Sequence, residues 1–311
     1  MKKPSIKPKH LFLKKGDIID IVAPASSSTR EELAHAIQWI EKQGYKARVP
    51  IDLLRPLDYL ANTDKKRFTV LKKALTNSSS KVVWCLRGGY GSLRLVPELL
   101  KLKKSPQKFF IGLSDITVIH QFLTQKWNWK TIHGPVLSRT QSTSIRQSDY
   151  DELFGLLSGR IDHLDFSQLT PVNKAGKKIK KTMTSKIMGG NLATFCSLLG
   201  TSLQPKVKNH FLFFEDISER GYKIDRMLNQ LEQAGLFKKC RGIFFAELIN
   251  SDEPDGKNLV WTTIESFFKD KSIPVFKGIE SDHSDKQRPL FLNTKAELIF
   301  NDSYTLRVHN N

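Results

Sequence analysis

The chain has 311 residues, 39% of them hydrophobic, and a formal net charge of +19. That hydrophobic share can bury a sizeable core and excludes a disordered chain, while the length fits one large or two medium domains. No apolar run approaches the roughly 20 residues that span a bilayer, which excludes membrane insertion by a helix. The basic start, Met1 to His10, is followed only by the short apolar Leu11-Phe12-Leu13, so a signal peptide is not expected and the cytoplasm is. Lysines are scattered apart from short clusters at 101–104 and 177–181, without zinc-finger spacing or an RNP-type aromatic strand. The charge therefore reads as a solvated surface, and no nucleic-acid partner is expected. Cys85, Cys196 and Cys240 are far apart in apolar surroundings and read as buried thiols, with no metal-ligand spacing.

In chain order, Asp17 to Pro24 (DIIDIVAP) reads as a buried strand, and Ser26 to Thr29 as a loop and N-cap. Glu31 to Gln43 has helical spacing at Leu33, Ile37 and Ile40 and stops at Gly44. A strand over Tyr45–Val49, a helix over Arg67–Leu75 and an apolar strand over Lys81–Leu86 follow. Strands alternating with helices predict an α/β fold with a doubly wound, mostly parallel sheet. In such sheets sites form at the carboxyl ends of strands. Two glycine-containing turns stand there, Arg87-Gly88-Gly89-Tyr90-Gly91 and Gly112-Leu113-Ser114-Asp115. The second follows the apolar run Phe109–Ile111 and precedes a helix with apolar Ile116, Ile119, Phe122 and Leu123. A serine on such a strand-to-helix turn is lifted above the sheet edge beside backbone N–H groups, a placement that suits a nucleophile.

Farther on, Ser138 to Ser148 reads as a loop and Asp151 to Ser158 as a short helix. Residues 165–184, polar, basic and turn-rich, read as a linker between an N-terminal α/β domain (1–164) and a smaller β-rich C-terminal domain (185–311). The latter opens on a Gly-rich helix start (Gly189-Gly190-Asn191-Leu192), then a strand from His210 to Phe214 ending at Glu215, and an amphipathic helix from Ile224 to Ala234. Taken alone, Glu215 competes with its neighbour Asp216 as a functional acid. His283, His133 and His120 compete as bases, each with an ordinary packing or solvated role available.

Taken together, DIIDIVAPAS (17–26), the Asn62-to-Arg67 segment, CLRGGYGSLRLV (85–96), FIGLSDIT (110–117), IHGP (132–135), MGGNLATFCSLLGT (188–201), LFFEDISERGYKIDRML (212–228) and DHSDKQRPL (282–290) resemble the serine LD-carboxypeptidase family, which includes the microcin-immunity peptidases. The resemblance implies a triad of Ser114 as nucleophile, Glu215 as acid and His283 as base. It implies an oxyanion hole from the N–H of Asp115 and of a glycine in the 88–89 pair, with Gly89 favoured. It implies substrate-side positions at Asn191, Glu219 and Arg226. The implied reaction removes the terminal D-alanine of a murein tetrapeptide in peptidoglycan recycling, without cofactor or metal, by a homodimer whose site lies between two domains. The alternatives are a microcin-immunity-type peptidase acting on a peptidyl or acyl-sulfamoyl nucleotide, and a non-catalytic binder of anionic cell-wall polymer. The chain departs from the family pattern around the base, where Asp282 and Ser284 replace flanking glycines, at Phe291, where a glycine is usual, and at Gly221, where a proline is common.

Overall fold

Short apolar runs bounded by turn residues become the central strands of a first sheet. The structure, a computed structural model, describes residues 11–141 and 145–310; the basic N-terminal decapeptide lies outside them. The first half contains β1 (Ile18–Val22), α1 (Arg30–Lys42), β2 (Lys46–Arg48), α2 (Asp64–Thr76), β3 (Val82–Cys85), α3 (Val96–Leu99), β4 (Phe109–Gly112), α4 (Thr117–Trp127), β5 (Thr131–His133) and α5 (Gln147–Ser158). The second contains β6 (His163–Pro171), α6 (Lys174–Lys177), β7 (Met183–Asn191), α7 (Leu192–Cys196), β8 (His210–Ile217), α8 (Gly221–Gln233), β9 (Gly242–Ile249), α9 (Val260–Phe268), β10 (Val275–Ile279), β11 (Leu290–Leu292), β12 (Lys295–Asn301) and β13 (Ser303–His309).

The first sheet has the order β11-β5-β4-β3-β1-β2. Strands β1 to β5 pair in parallel, and β3, β4 and β1 are fully or almost fully buried, as their near-continuous apolar sequences require. The strand order switches sides between β1 and β3, and in open parallel sheets such switch points favour sites at the strands' carboxyl ends. Thr29 caps α1 through a reciprocal box with Glu32. Strand β11 returns from near the C-terminus to pair antiparallel with β5, Leu290 opposite His133.

The other seven strands close a barrel in the order β10-β6-β13-β12-β7-β8-β9. Side chains of β8 alternate between two cores: Phe211 and Phe213 join the one shared with the first sheet, whereas Leu212 and Phe214 pack with Ile224 and Leu228 of α8 and Ile264 and Phe268 of α9. The chain is thus mixed α/β, a parallel sheet plus a barrel.

Four expectations change. Residues 165–184 are not a linker: most of β6 and the start of β7 lie there, within the barrel. Gly189 and Gly190 lie in the last residues of β7, which ends at Asn191, and the helix starts only at Leu192. Glu215 does not end β8, which runs on to Ile217 with a register irregularity against β9 between Phe214 and Asp216. The expected loop at 138–148 includes a 3-10 turn (Leu137–Gln141) and the first residues of α5.

Candidate active site

At the end of β4, Leu113 stays extended and Ser114 enters the left-handed region at φ 66°. Such a conformation costs a non-glycine residue about 1–3 kcal/mol and persists only when its surroundings impose it. Ser114 then opens a 3-10 turn that runs into α4. The neighbouring turn after β3 presses against it: a Cβ on Gly88 would stand 2.7 Å from the Ser114 Cβ and 3.2 Å from its Oγ. Only glycine leaves room for the hydroxyl there. Gly89 has φ 96°, and the turn is held by Ser26, whose N–H donates to the Gly88 carbonyl (3.1 Å) and whose Oγ accepts from the Tyr90 N–H (3.0 Å). Asp115 points its carboxylate away into the fold, accepting the Ser92 N–H at 2.7 Å.

His283 stands in the loop between β10 and β11. That loop is pinned by the Asp282 N–H to the Lys286 carbonyl (2.9 Å), by the Ser284 N–H to Asp282 (2.7 Å) and by Arg139 Nη1, which donates to the His283 carbonyl (3.0 Å). The imidazole Nδ1 meets Glu215 Oε2 at 2.5 Å, and Glu215 is fully buried. Burial alone would raise the Glu215 pKa, but the charge and hydrogen bond of His283 outweigh it and hold the carboxyl below its ordinary value. Burial likewise opposes protonation of His283, and the Glu215 carboxylate outweighs it, raising the imidazole above its ordinary value. With Nδ1 engaged by a carboxylate, Nε2 is the ring atom left for proton transfer.

The rivals sit elsewhere. Asp216 accepts from Asn191 Nδ2 (2.9 Å), the Ala193 N–H (2.8 Å) and the Ile217 N–H (2.8 Å). Burial, then the Glu215 charge, pushes its pKa up to about 7. His120 packs edge-on to Phe110 and its Nε2 pairs with the Gly112 carbonyl at 2.8 Å; burial pushes it down to about 3. His133 is fully buried against Phe213, and burial pushes it down to about 4. Both behave as core histidines.

Ser114 and His283 line one pocket of about 530 Å³ with Glu32, Arg87, Gly88, Gly89, Leu113, Val136, Ser138, Arg139 and Ile217. Glu215 reaches it through His283. Of the other sequence-predicted residues, Asp115 follows Ser114 in the chain without lining the pocket, and three lie elsewhere. Asn191 caps α7, accepting the Thr194 N–H, and braces Asp216; Glu219 pairs with Lys223 at 3.0 Å; Arg226 lies over the Tyr222 ring. Sequence reasoning missed Arg87 and Arg139 as lining residues. Arg87 was legible as the strand-end residue before the paired glycines, whereas Arg139 lies in a stretch without local signal. Among the described residues no cluster of His, Cys, Asp and Glu is arranged to hold a metal, and no helix is long and apolar enough to cross a membrane.

Comparison with known proteins identifies the family and the fold. Residues 19–134 match the LD-carboxypeptidase N-terminal domain and residues 184–298 its C-terminal domain. A Rickettsia conorii protein, named as a candidate carboxypeptidase, is 35% identical over 298 residues, covering 93% of this chain and 90% of its own. The murein tetrapeptide carboxypeptidase of Pseudomonas aeruginosa is 26% identical over 282 residues, covering 87% and 89%. The crystal structure of muramoyltetrapeptide carboxypeptidase from Oxalobacter formigenes superposes with a TM-score of 0.80 at 25% identity, covering 94% of this chain and 98% of that one.

Proposed function

The chain belongs to the LD-carboxypeptidase family, and from that premise we propose that it removes the terminal D-alanine of a murein tetrapeptide through an acyl-enzyme on Ser114. The observation that carries this reading is the 2.5 Å bond from His283 to buried Glu215, beside a pocket that holds both His283 and the strained Ser114.

In this mechanism His283 Nε2 takes the Ser114 proton as Oγ attacks the scissile carbonyl. Glu215 holds the tautomer and stabilises the imidazolium that forms. The oxyanion is received by the N–H groups of Asp115 and of the Gly88-Gly89 turn, Gly89 favoured for its φ of 96°. The C–N bond breaks, His283 gives its proton to the departing D-alanine amine, and the acyl ester on Ser114 is hydrolysed by water through the same base. Ser114 comes from the first sheet and Glu215 from the barrel, so the pocket is read as a cleft between an N-terminal domain ending before β6 and a C-terminal barrel domain. The same reading assigns a homodimer working in the cytoplasm on recycled wall peptides. The described pocket lining has no Trp, Tyr or Phe to stack a nucleobase, which favours a peptide over a sulfamoyl nucleotide.

Purified protein incubated with muropeptide tri-, tetra- and pentapeptides and read by mass tests this. Loss of one alanine from the tetrapeptide, leaving a tripeptide, is expected; an untouched tetrapeptide overturns it.

A further inference from the structure

A carboxypeptidase must tell a chain end from a chain interior, and the chemical mark of the end is a free carboxylate. Desolvating that anion in a pocket needs a fixed cation or several N–H donors. The described lining offers three cationic or titratable candidates, Arg87, Arg139 and His283, and one carboxylate, Glu32. His283 must be neutral to act as base. Arg139 already donates to the His283 carbonyl at 3.0 Å and so belongs to the frame of the base loop. The N–H groups of the glycine turn are already assigned to the oxyanion in the mechanism proposed above. Arg87 differs from all of these. It directly precedes Gly88, whose missing Cβ would stand 3.2 Å from Ser114 Oγ, and its side chain is exposed at the pocket wall. A guanidinium there is within side-chain reach of a carboxylate one residue beyond the scissile carbonyl. Its planar fork matches both carboxylate oxygens.

We propose that Arg87 is the specificity-determining residue that pairs with the free terminal carboxylate of the leaving residue. This rests on the carboxypeptidase reading above and adds the group that selects chain ends. Glu32, on the same pocket, carries the charge that would repel that carboxylate. Arg87 takes no part in bond making; it sets which amide is presented to Ser114.

The test compares wild type, Arg87→Gln and Arg87→Lys on the free tetrapeptide and on its C-terminal amide, by kcat/KM from mass-monitored release of alanine or alaninamide. Wild type is expected to lose at least about tenfold on amidation, equivalent to about 1.4 kcal/mol. Arg87→Gln should lose a similar factor on the free acid, and amidation should then cost it less than about threefold, because the donor that read the charge is gone. Arg87→Lys should keep part of the preference as a point charge without the fork. Arg87→Gln that discriminates acid from amide as well as wild type overturns the assignment alone. Wild type that cuts both alike, or neither, overturns the assignment together with the reading it rests on.

Discussion

The backbone N–H of Asn191 donates to the hydroxyl of Thr117 at 3.0 Å, and this bond ties the barrel to the helix that carries the serine turn. Thr117 lies three residues after Ser114, and Asn191 stands in register with Glu215 on the adjoining strand. The approach is close because Gly190 has no side chain: a Cβ there would stand 2.5 Å from Thr117 Oγ1. Thr117→Val removes the acceptor and leaves a buried N–H unpaired, which costs about 1–3 kcal/mol. Urea unfolding should show that loss, together with a fall in kcat. Unchanged stability would mean that the contact is not a tie. Gly190→Ala should do more damage, since φ of 136° and the clash act together.

Ser114→Ala should abolish turnover by several orders of magnitude in a folded protein. Ser114→Gly should abolish it too, yet raise stability by up to about 1 kcal/mol, because glycine accepts positive φ without strain. Turnover near wild type in folded Ser114→Ala would remove Ser114 from the chemistry. EDTA should leave activity unchanged, since the proposed mechanism uses only side chains and backbone; a loss restored by added metal would contradict it.

Only the neutral imidazole of His283 can accept the serine proton. Its pKa is raised by Glu215, so kcat/KM should rise with pH along an acid limb lying above the ordinary histidine value. Glu215→Gln removes the charge and should move that limb to lower pH while lowering kcat sharply. Asp216→Asn should cost far less kcat, because Asp216 braces Asn191 and α7 and does not touch the base. A pH–rate series on the three proteins checks the ranking; Asp216→Asn as the more damaging change would move the acid by one residue.

His120 gives a stability signature of opposite sign to His283. Its folded-state pKa is pushed down to about 3, so below the unfolded value near 6.5 the unfolded chain binds a proton that the native state refuses. The stabilisation is present above about pH 6.5 and is lost as pH falls, by about 1.4 kcal/mol per unit for one such group. Asp216, raised to about 7, works the other way over the same range and reduces the net slope. The informative quantity is therefore the stability of wild type minus that of His120→Gln, which should fall by about 1.4 kcal/mol per pH unit as pH drops from about 6.5 to 5 in denaturant titrations. Parallel curves would show His120 to be titrating normally.

Much of the first sheet was legible because its buried strands are continuous apolar runs and α1 announces itself with a capping box at Thr29 and Glu32. The serine turn was legible for the same reason: Phe109–Ile111 is a buried strand and Ile116, Ile119, Phe122 and Leu123 mark the next helix. Strand β6 was hidden by its own geometry. Leu164 and Phe166 alternate inward, then Gln168 takes φ 57° and the register against β13 slips, so the next inward residue is Leu169. A bulge of this kind breaks the period that sequence reading depends on. Strand β11 has no local signature either, since what makes Leu290–Leu292 a strand is the free edge of β5. Asn191, Glu219 and Arg226 came from family resemblance, and their short-range partners, a cap, an ion pair and a ring contact, draw them away from the pocket lining.

The return of β11 to the edge of β5 has a consequence for how the polypeptide is made. Synthesis is vectorial, and β5 is complete when residue 133 has been added, whereas its partner arrives only with residues 290–292. For the interval between, the nascent first half carries an uncovered strand edge, the feature through which sheets aggregate. Closing that edge also fixes the second end of the loop from β10 that holds His283, since its two ends are then anchored in different sheets. Until the edge is sealed, the loop that holds the base is therefore anchored at one end only. A ribosome-released fragment ending before residue 290 should be both inactive and aggregation-prone, even though Ser114 and Glu215 are already present in it.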